Sequence, residues 1–206
     1  MAHFRFCPNR AHIEIFERPD WKKYQDGNKP MKRGIELHEA YSAPYKSWDR
    51  RLLRYQLEIE AGPVFQKQLD NIVIRGVYDD LRVLRDSRTD AKLVSFVELK
   101  TTSRIMMRAE IETAIFQLQL YIWIMRDLIK PPWVLHARHY LEIIDQRTNR
   151  LIKRIVVYED KVIEDKIRYI VRTFQGLERI ESSSKPPCHF CPRPIKERCE
   201  WFKYRG

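Results

Sequence analysis

The run "AKLVSFVELK", Ala91 to Lys100, most constrains what this chain can fold into. It holds no glycine or proline and is rich in apolar and β-branched residues, so it reads as a strand. A period of two then puts Val94, Phe96, Glu98 and Lys100 on one face, and Leu93, Val97 and Leu99 on the other. An acid and a lysine at the end of such a run are either a catalytic edge or two charges at a strand end. Spacing alone does not decide, because Asp/Glu-x-Lys occurs five times, at Asp20, Asp90, Glu98, Glu159 and Glu164. Only the copy at Glu98 follows a β-like segment.

Around that strand the chain alternates. "MKRGIELHEAY" reads as a short helix after a turn in "DGNKP", and it places Gly34 and His38 on one face. "YQLEIEA", "NIVIRGVYDDLRVL" and "AKLVSFVELK" read as a three-strand meander with turns at Gly62-Pro63 and in "RDSRTD". A helix is expected from about Met107 to Leu128, with Ile111, Ile115, Leu118, Ile122 and Met125 as its apolar stripe and Pro131-Pro132 as its stop. Strands near "WVLHARHYLEII" and "RLIKRIVVY" and a helix from about Asp160 to Leu177 complete an α/β core with a mixed sheet flanked by helices.

At 206 residues, one domain spanning 1–206 is expected, with a core over 31–179 and flanking segments 1–30 and 180–206. The formal charge of +11 favours a polyanionic partner, with nucleic acid the first candidate. "MAHFRFCPNR" lacks the apolar stretch of a signal peptide and no uncharged run is long enough to cross a bilayer, so an intracellular, cytoplasmic protein without a membrane partner is expected. No Gly-x4-Gly-Lys-Ser/Thr loop is present, so any unwinding must come from a separate helicase. In a reducing compartment the clustering of Cys7, Cys188, Cys191 and Cys199 points to a metal centre, and spacing alone suits zinc as well as iron-sulfur.

Asp79 stands on the strand-like run before Glu98, so a sheet can bring the two carboxylates together as a hard oxygen site for magnesium or manganese. Lys100 is then placed to act on a water and on charge developing at a phosphate. Gln117 and Tyr121, four apart on the following helix, project together.

The series Gly-x3-His (Gly34 to His38), Gly-x2-Asp (Gly76 to Asp79), Glu-Leu-Lys (Glu98 to Lys100) and Gln-x3-Tyr (Gln117 to Tyr121) resembles the RecB-like branch of the PD-(D/E)XK nucleases. One N-terminal cysteine followed by Cys-x2-Cys-x7-Cys resembles its iron-sulfur subgroup, which includes CRISPR-associated RecB-like exonucleases, exonuclease V and relatives carried by archaeal viruses. The resemblance implies a restriction-endonuclease-like fold and a divalent-metal-dependent deoxyribonuclease, an exonuclease or single-strand-specific enzyme. By it, His38, Asp79, Glu98 and the Leu99 carbonyl hold magnesium or manganese, Lys100 serves the attacking water, and Gln117 and Tyr121 hold the site and the DNA. It also implies a [4Fe-4S] cluster on Cys7, Cys188, Cys191 and Cys199, with a structural role, and DNA with single strands or free ends as substrate. Helicases or CRISPR adaptation proteins become candidate partners, and the host cytoplasm the location of a viral member. Asp80 beside Asp79 leaves a one-residue alternative for the carboxylate.

Two other readings fit the residues: a noncatalytic DNA-binding subunit, and a zinc-stapled structural protein whose acids are surface groups. The stretch "YKSWDRRLLRY" is read two ways. Lys46, Arg50, Arg51 and Arg54 among Tyr45, Trp48 and Tyr55 can grip single-stranded DNA, or form a solvated helix face with its aromatics in the core.

Overall fold

The structure, a computed structural model, describes residues 29–45, 47–61, 65–76 and 78–174. Its elements are α1 (Lys29–Ser42), a short 3-10 turn (Ala43–Tyr45), α2 (Trp48–Ala61), β1 (Phe65–Leu69), β2 (Ile72–Gly76), β3 (Asp80–Arg85), β4 (Lys92–Thr102), α3 (Arg108–Met125), β5 (Trp133–Leu135), β6 (His139–Asp145), β7 (Leu151–Val157) and α4 (Ile163–Phe174). This is a mixed α/β fold. The main sheet runs β3-β4-β6-β7, with β5 also paired to β4, while β1 and β2 form a separate hairpin. β4 is antiparallel to β3 and parallel to β5 and β6, so it lies at the sheet's centre with both faces covered. Val94 through Leu99 are all buried.

Three sequence expectations change. "YQLEIEA" is not a strand but the second half of α2. Its alternation of Tyr55, Leu57 and Ile59 is overridden by Ser47, whose Oγ accepts the Arg50 backbone N–H at 3.2 Å and starts the helix, and by Arg50, Leu53 and Leu57, buried at helical spacing. "NIVIRGVYDDLRVL" is two strands in two sheets, β2 and β3, so the three-strand meander is replaced by a hairpin and a sheet edge. That hairpin turns at Asp70-Asn71, where Asp70 has φ 55°, a conformation aspartate tolerates. "WVLHARHYLEII" is broken between β5 and β6. At the first residue of β6, His139 Nδ1 accepts the Phe96 backbone N–H at 3.0 Å. The turn in "RDSRTD" forms as expected, with Asp86 N–H donating to the Ala91 carbonyl at 2.8 Å. Gly62-Pro63, the "DGN" of the first turn and all four cysteines lie outside the described residues.

α3 is buried over more than the expected stripe. Ala114, Phe116, Leu120, Trp123 and Ile124 join Leu118, Ile122 and Met125, because the helix is roofed by the sheet, by the β1-β2 hairpin and by α4. Glu110 reaches back to accept the Met107 backbone N–H at 2.8 Å, which fixes where α3 starts. Tyr78 stacks on Phe65 at 5.4 Å and leans on Phe96 at 5.6 Å, joining the hairpin to the sheet.

The opposite face of the sheet carries buried charge. Glu142 accepts from Arg82 Nη1 at 2.9 Å and Nη2 at 2.6 Å and from Arg154 Nε at 2.6 Å. Arg50, on α2, forms an ion pair with the fully buried Asp80. Among the described residues no helix is long and apolar enough to cross a membrane.

Candidate active site

Three elements, α1, β4 and α3, and the residue just before β3 bring the expected side chains to the C-terminal half of β4. Asp80 pairs with Val97, so continuing the antiparallel register by one residue sets Asp79 opposite Glu98. Asp79 Oδ2 accepts the Leu99 backbone N–H at 2.9 Å, which clamps the carboxylate beside the strand. Asp80 points to the other face, towards Arg50. The structure therefore places Asp79, and not Asp80, next to Glu98.

Glu98 is fully buried, and neither of its carboxylate oxygens has a hydrogen-bond partner among the described residues. The Lys100 ammonium forms an ion pair with Oε1. Burial is the main reason that the Glu98 pKa is pushed up to about 8; Lys100 offsets part of that, and the Asp79 charge adds to it. A buried carboxylate with two unsatisfied oxygens is costly unless a cation completes it.

His38 comes from α1. Gly34, one turn earlier, lets the helix approach β4 closely, since a Cβ there would lie 3.2 Å from Thr101 Oγ1. Burial lowers the His38 pKa from its ordinary value, Asp79 raises it and Lys100 lowers it, so the imidazole feels both members of the site. The lowered pKa leaves a neutral ring with a lone pair to donate.

From α3, Gln117 Oε1 accepts from Lys100 Nζ at 3.4 Å, and Gln117 Nε2 donates to Tyr121 Oη at 2.6 Å. Tyr121, Gln117, Lys100 and Glu98 thus form one chain of contacts. Burial and the neighbouring Glu98 charge push the Tyr121 pKa up, so the phenol keeps its proton. Gly76 is required by this packing: a Cβ there would stand 2.8 Å from Tyr121 Cε1.

His38, Asp79, Glu98 and the Leu99 backbone therefore share one neighbourhood. Even so, no group of three or more His, Cys, Asp or Glu side chains among the described residues is gathered tightly enough to hold a metal ion. The residues fit a hard cation by donor chemistry and by the buried Glu98 carboxylate, whose Oε2 has no hydrogen-bond partner among the described residues. The cysteines expected to hold a cluster lie outside the described residues.

The other Asp/Glu-x-Lys copies sit elsewhere. Asp90, in the turn before β4, pairs with Arg85 at 3.3 Å. Glu159 accepts from Arg126 at 2.9 Å, and Glu164 accepts from the buried Trp123 Nε1 at 2.8 Å. Asp20 lies outside the described residues. The sequence reading missed Glu142 and its two arginines, whose signal was an acid inside the apolar run "YLEII".

The PD-(D/E)XK nuclease superfamily model matches residues 11–200. The chain belongs to the PD-(D/E)XK nuclease superfamily. That superfamily generally comprises metal-dependent nucleases, which use divalent metals such as magnesium or manganese. Among solved structures the crystal structure of SSO0001 is similar, with a TM-score of 0.54 at 17% identity over 97% of this chain and 84% of that one, a likeness of fold. No curated protein matches the sequence.

Proposed function

We propose that this PD-(D/E)XK protein is a divalent-metal-dependent deoxyribonuclease of the RecB-like branch, acting on single-stranded DNA or free ends. The observation that carries the reading is the fully buried Glu98 carboxylate with Asp79 opposite it and Lys100 against it, on the central strand of a superfamily fold. His38, Asp79, Glu98 and the Leu99 carbonyl would hold magnesium or manganese. A bound cation supplies Lewis acidity and an acidified water ligand. Lys100, held by Gln117, orients a water and faces the charge that develops on the phosphate. Tyr121 fixes Gln117 and stays a neutral donor.

DNA cleavage is expected with magnesium or manganese and not in excess EDTA; full cleavage with the metal shown to be gone excludes the reading. Cation binding should also depend on pH. Folded Glu98 retains a proton up to about pH 8 that the unfolded chain releases near its ordinary value. Between those values the folded state binds more protons, so metal-free stability falls as pH rises, and an incoming cation must displace the Glu98 proton. Calorimetry should find about one proton released per cation at pH 6.5 and almost none above pH 9. A pH-independent cation affinity would detach Glu98 from the metal.

A [4Fe-4S] cluster on Cys7, Cys188, Cys191 and Cys199 is part of the same proposal, supported by their Cys and Cys-x2-Cys-x7-Cys spacing. Anaerobically purified protein should be brown and contain about four irons. Zinc alone in a colourless protein overturns the assignment. A CRISPR or viral setting, and a helicase partner, rest on the resemblance alone.

A further inference from the structure

α2 has two unlike faces. Arg50, Leu53 and Leu57 face the core, whereas Trp48 is 71% and Tyr55 63% exposed. Positions 48, 51 and 55 are three and four apart, so Trp48, Arg51 and Tyr55 share one outward stripe. The Arg51 guanidinium lies over the Trp48 ring, 5.8 Å from its centre. Asp49, the acid next to this stripe, is turned away and held by Lys92 at 2.7 Å. Of the two readings of this stretch, the core-aromatic one therefore fails for Trp48 and Tyr55, and the DNA-gripping one fails for Arg50, which is spent on Asp80. What remains outside among the described residues is two large rings with a cation between them.

We propose that this stripe is a stacking platform for single-stranded nucleic acid, with Trp48 and Tyr55 taking bases and Arg51 taking the phosphate between them. Aromatic faces accept any base, and a guanidinium on an indole can hold a phosphate while stacked. The rings stand about 10 Å apart along the helix, about three base-stacking intervals. The positive excess of the chain matches a polyanion and disfavours an acidic-faced helix partner made of this same chain. Arg50 anchors the platform to Asp80, the chain neighbour of Asp79. The inference deepens the nuclease reading and rests on it for the class of substrate, but the binding test does not need cleavage.

The test compares the full-length protein with a Trp48→Ala/Tyr55→Ala double variant in EDTA. The probes are a labelled oligothymidylate of about 15 nucleotides, near the upper site size of known single-strand folds, and a duplex of equal length. Single-strand affinity should fall at least about 30-fold, the low end for losing two stacked bases. Duplex affinity should change less than about twofold, since dispersed phosphate contacts carry it. The melting temperature should be unchanged, and Trp48→Phe/Tyr55→Phe should restore most of the affinity. Unchanged single-strand affinity, as expected if the face instead receives a protein, overturns the platform, and so does an equal loss on duplex. Wild-type protein that shows the ring-dependent affinity yet never cleaves with manganese would remove the nuclease reading and leave the platform standing.

Discussion

Asp80→Ala is expected to destabilise the protein severely while leaving the chemistry of the folded fraction near normal, and Asp79→Ala to do the reverse. The two carboxylates are chain neighbours with opposite surroundings. Asp80 is fully buried, and its Oδ1 holds both the Arg50 guanidinium and the Leu81 backbone N–H. Removing it leaves Arg50 buried without its carboxylate, with Nη1 still donating to the Ser42 carbonyl at 3.3 Å. Stranding one partner of a buried pair costs about 3–5 kcal/mol. For a chain of this size that is a fall of roughly 10 °C or more in melting temperature. An Arg50→Met/Asp80→Leu double variant should recover much of the loss, because it strands neither charge. Asp79, by contrast, is exposed and accepts the Leu99 backbone N–H on β4, so its loss should barely move the melting temperature but should cripple cleavage. Thermal unfolding and single-turnover cleavage, measured on both variants, separate the two roles. If Asp80→Ala abolishes cleavage at full stability, the carboxylate roles are the other way round.

That opposition shows where the sequence was legible. Gly76 to Asp79 has a fixed three-residue step, and the β3-β4 register turns it into proximity to Glu98. The faces of β4 were readable from a period of two, since Val94 and Phe96 pack with α3 while Val97 and Leu99 pack with Ile144 and Tyr41. The helix α3 was readable because nothing in Arg108–Met125 interrupts it. α2 was not, because the alternation in "YQLEIEA" imitates a strand, and only the Ser47 cap and the placement of Leu53 and Leu57 against the core decide for helix. Nor was the buried pairing of Arg50 with Asp80, or of Glu142 with Arg82 and Arg154. Basic residues in sequence look alike whether they face a phosphate or a buried carboxylate, and only tertiary contact tells them apart. The complete burial of Glu98 was equally hidden, since a strand-end acid and lysine fit an exposed ion pair as well as a catalytic edge.

Glu98→Ala and Lys100→Ala should each remove at least about 10²–10³-fold of the cleavage rate, the loss typical of removing one preorganised charge-stabilising group. Glu98 is a fully buried carboxylate, and Lys100 links it to Gln117 and Tyr121. DNA binding should survive both changes, because affinity comes from dispersed phosphate contacts and the chain keeps a large positive excess. Glu98→Ala should also leave the metal-free fold at least as stable at pH 8, since it removes a carboxylate that burial penalises. Asp90 provides the internal control. It belongs to the same Asp/Glu-x-Lys pattern but lies in the turn before β4, about 25 Å along the strand from Glu98, paired only loosely with Arg85. The direct test is single-turnover cleavage of labelled DNA with manganese by the Glu98→Ala and Asp90→Ala proteins side by side. The account predicts wild-type rates for Asp90→Ala and almost none for Glu98→Ala; equal rates for the two would show that Glu98 and Lys100 are only a charged strand end.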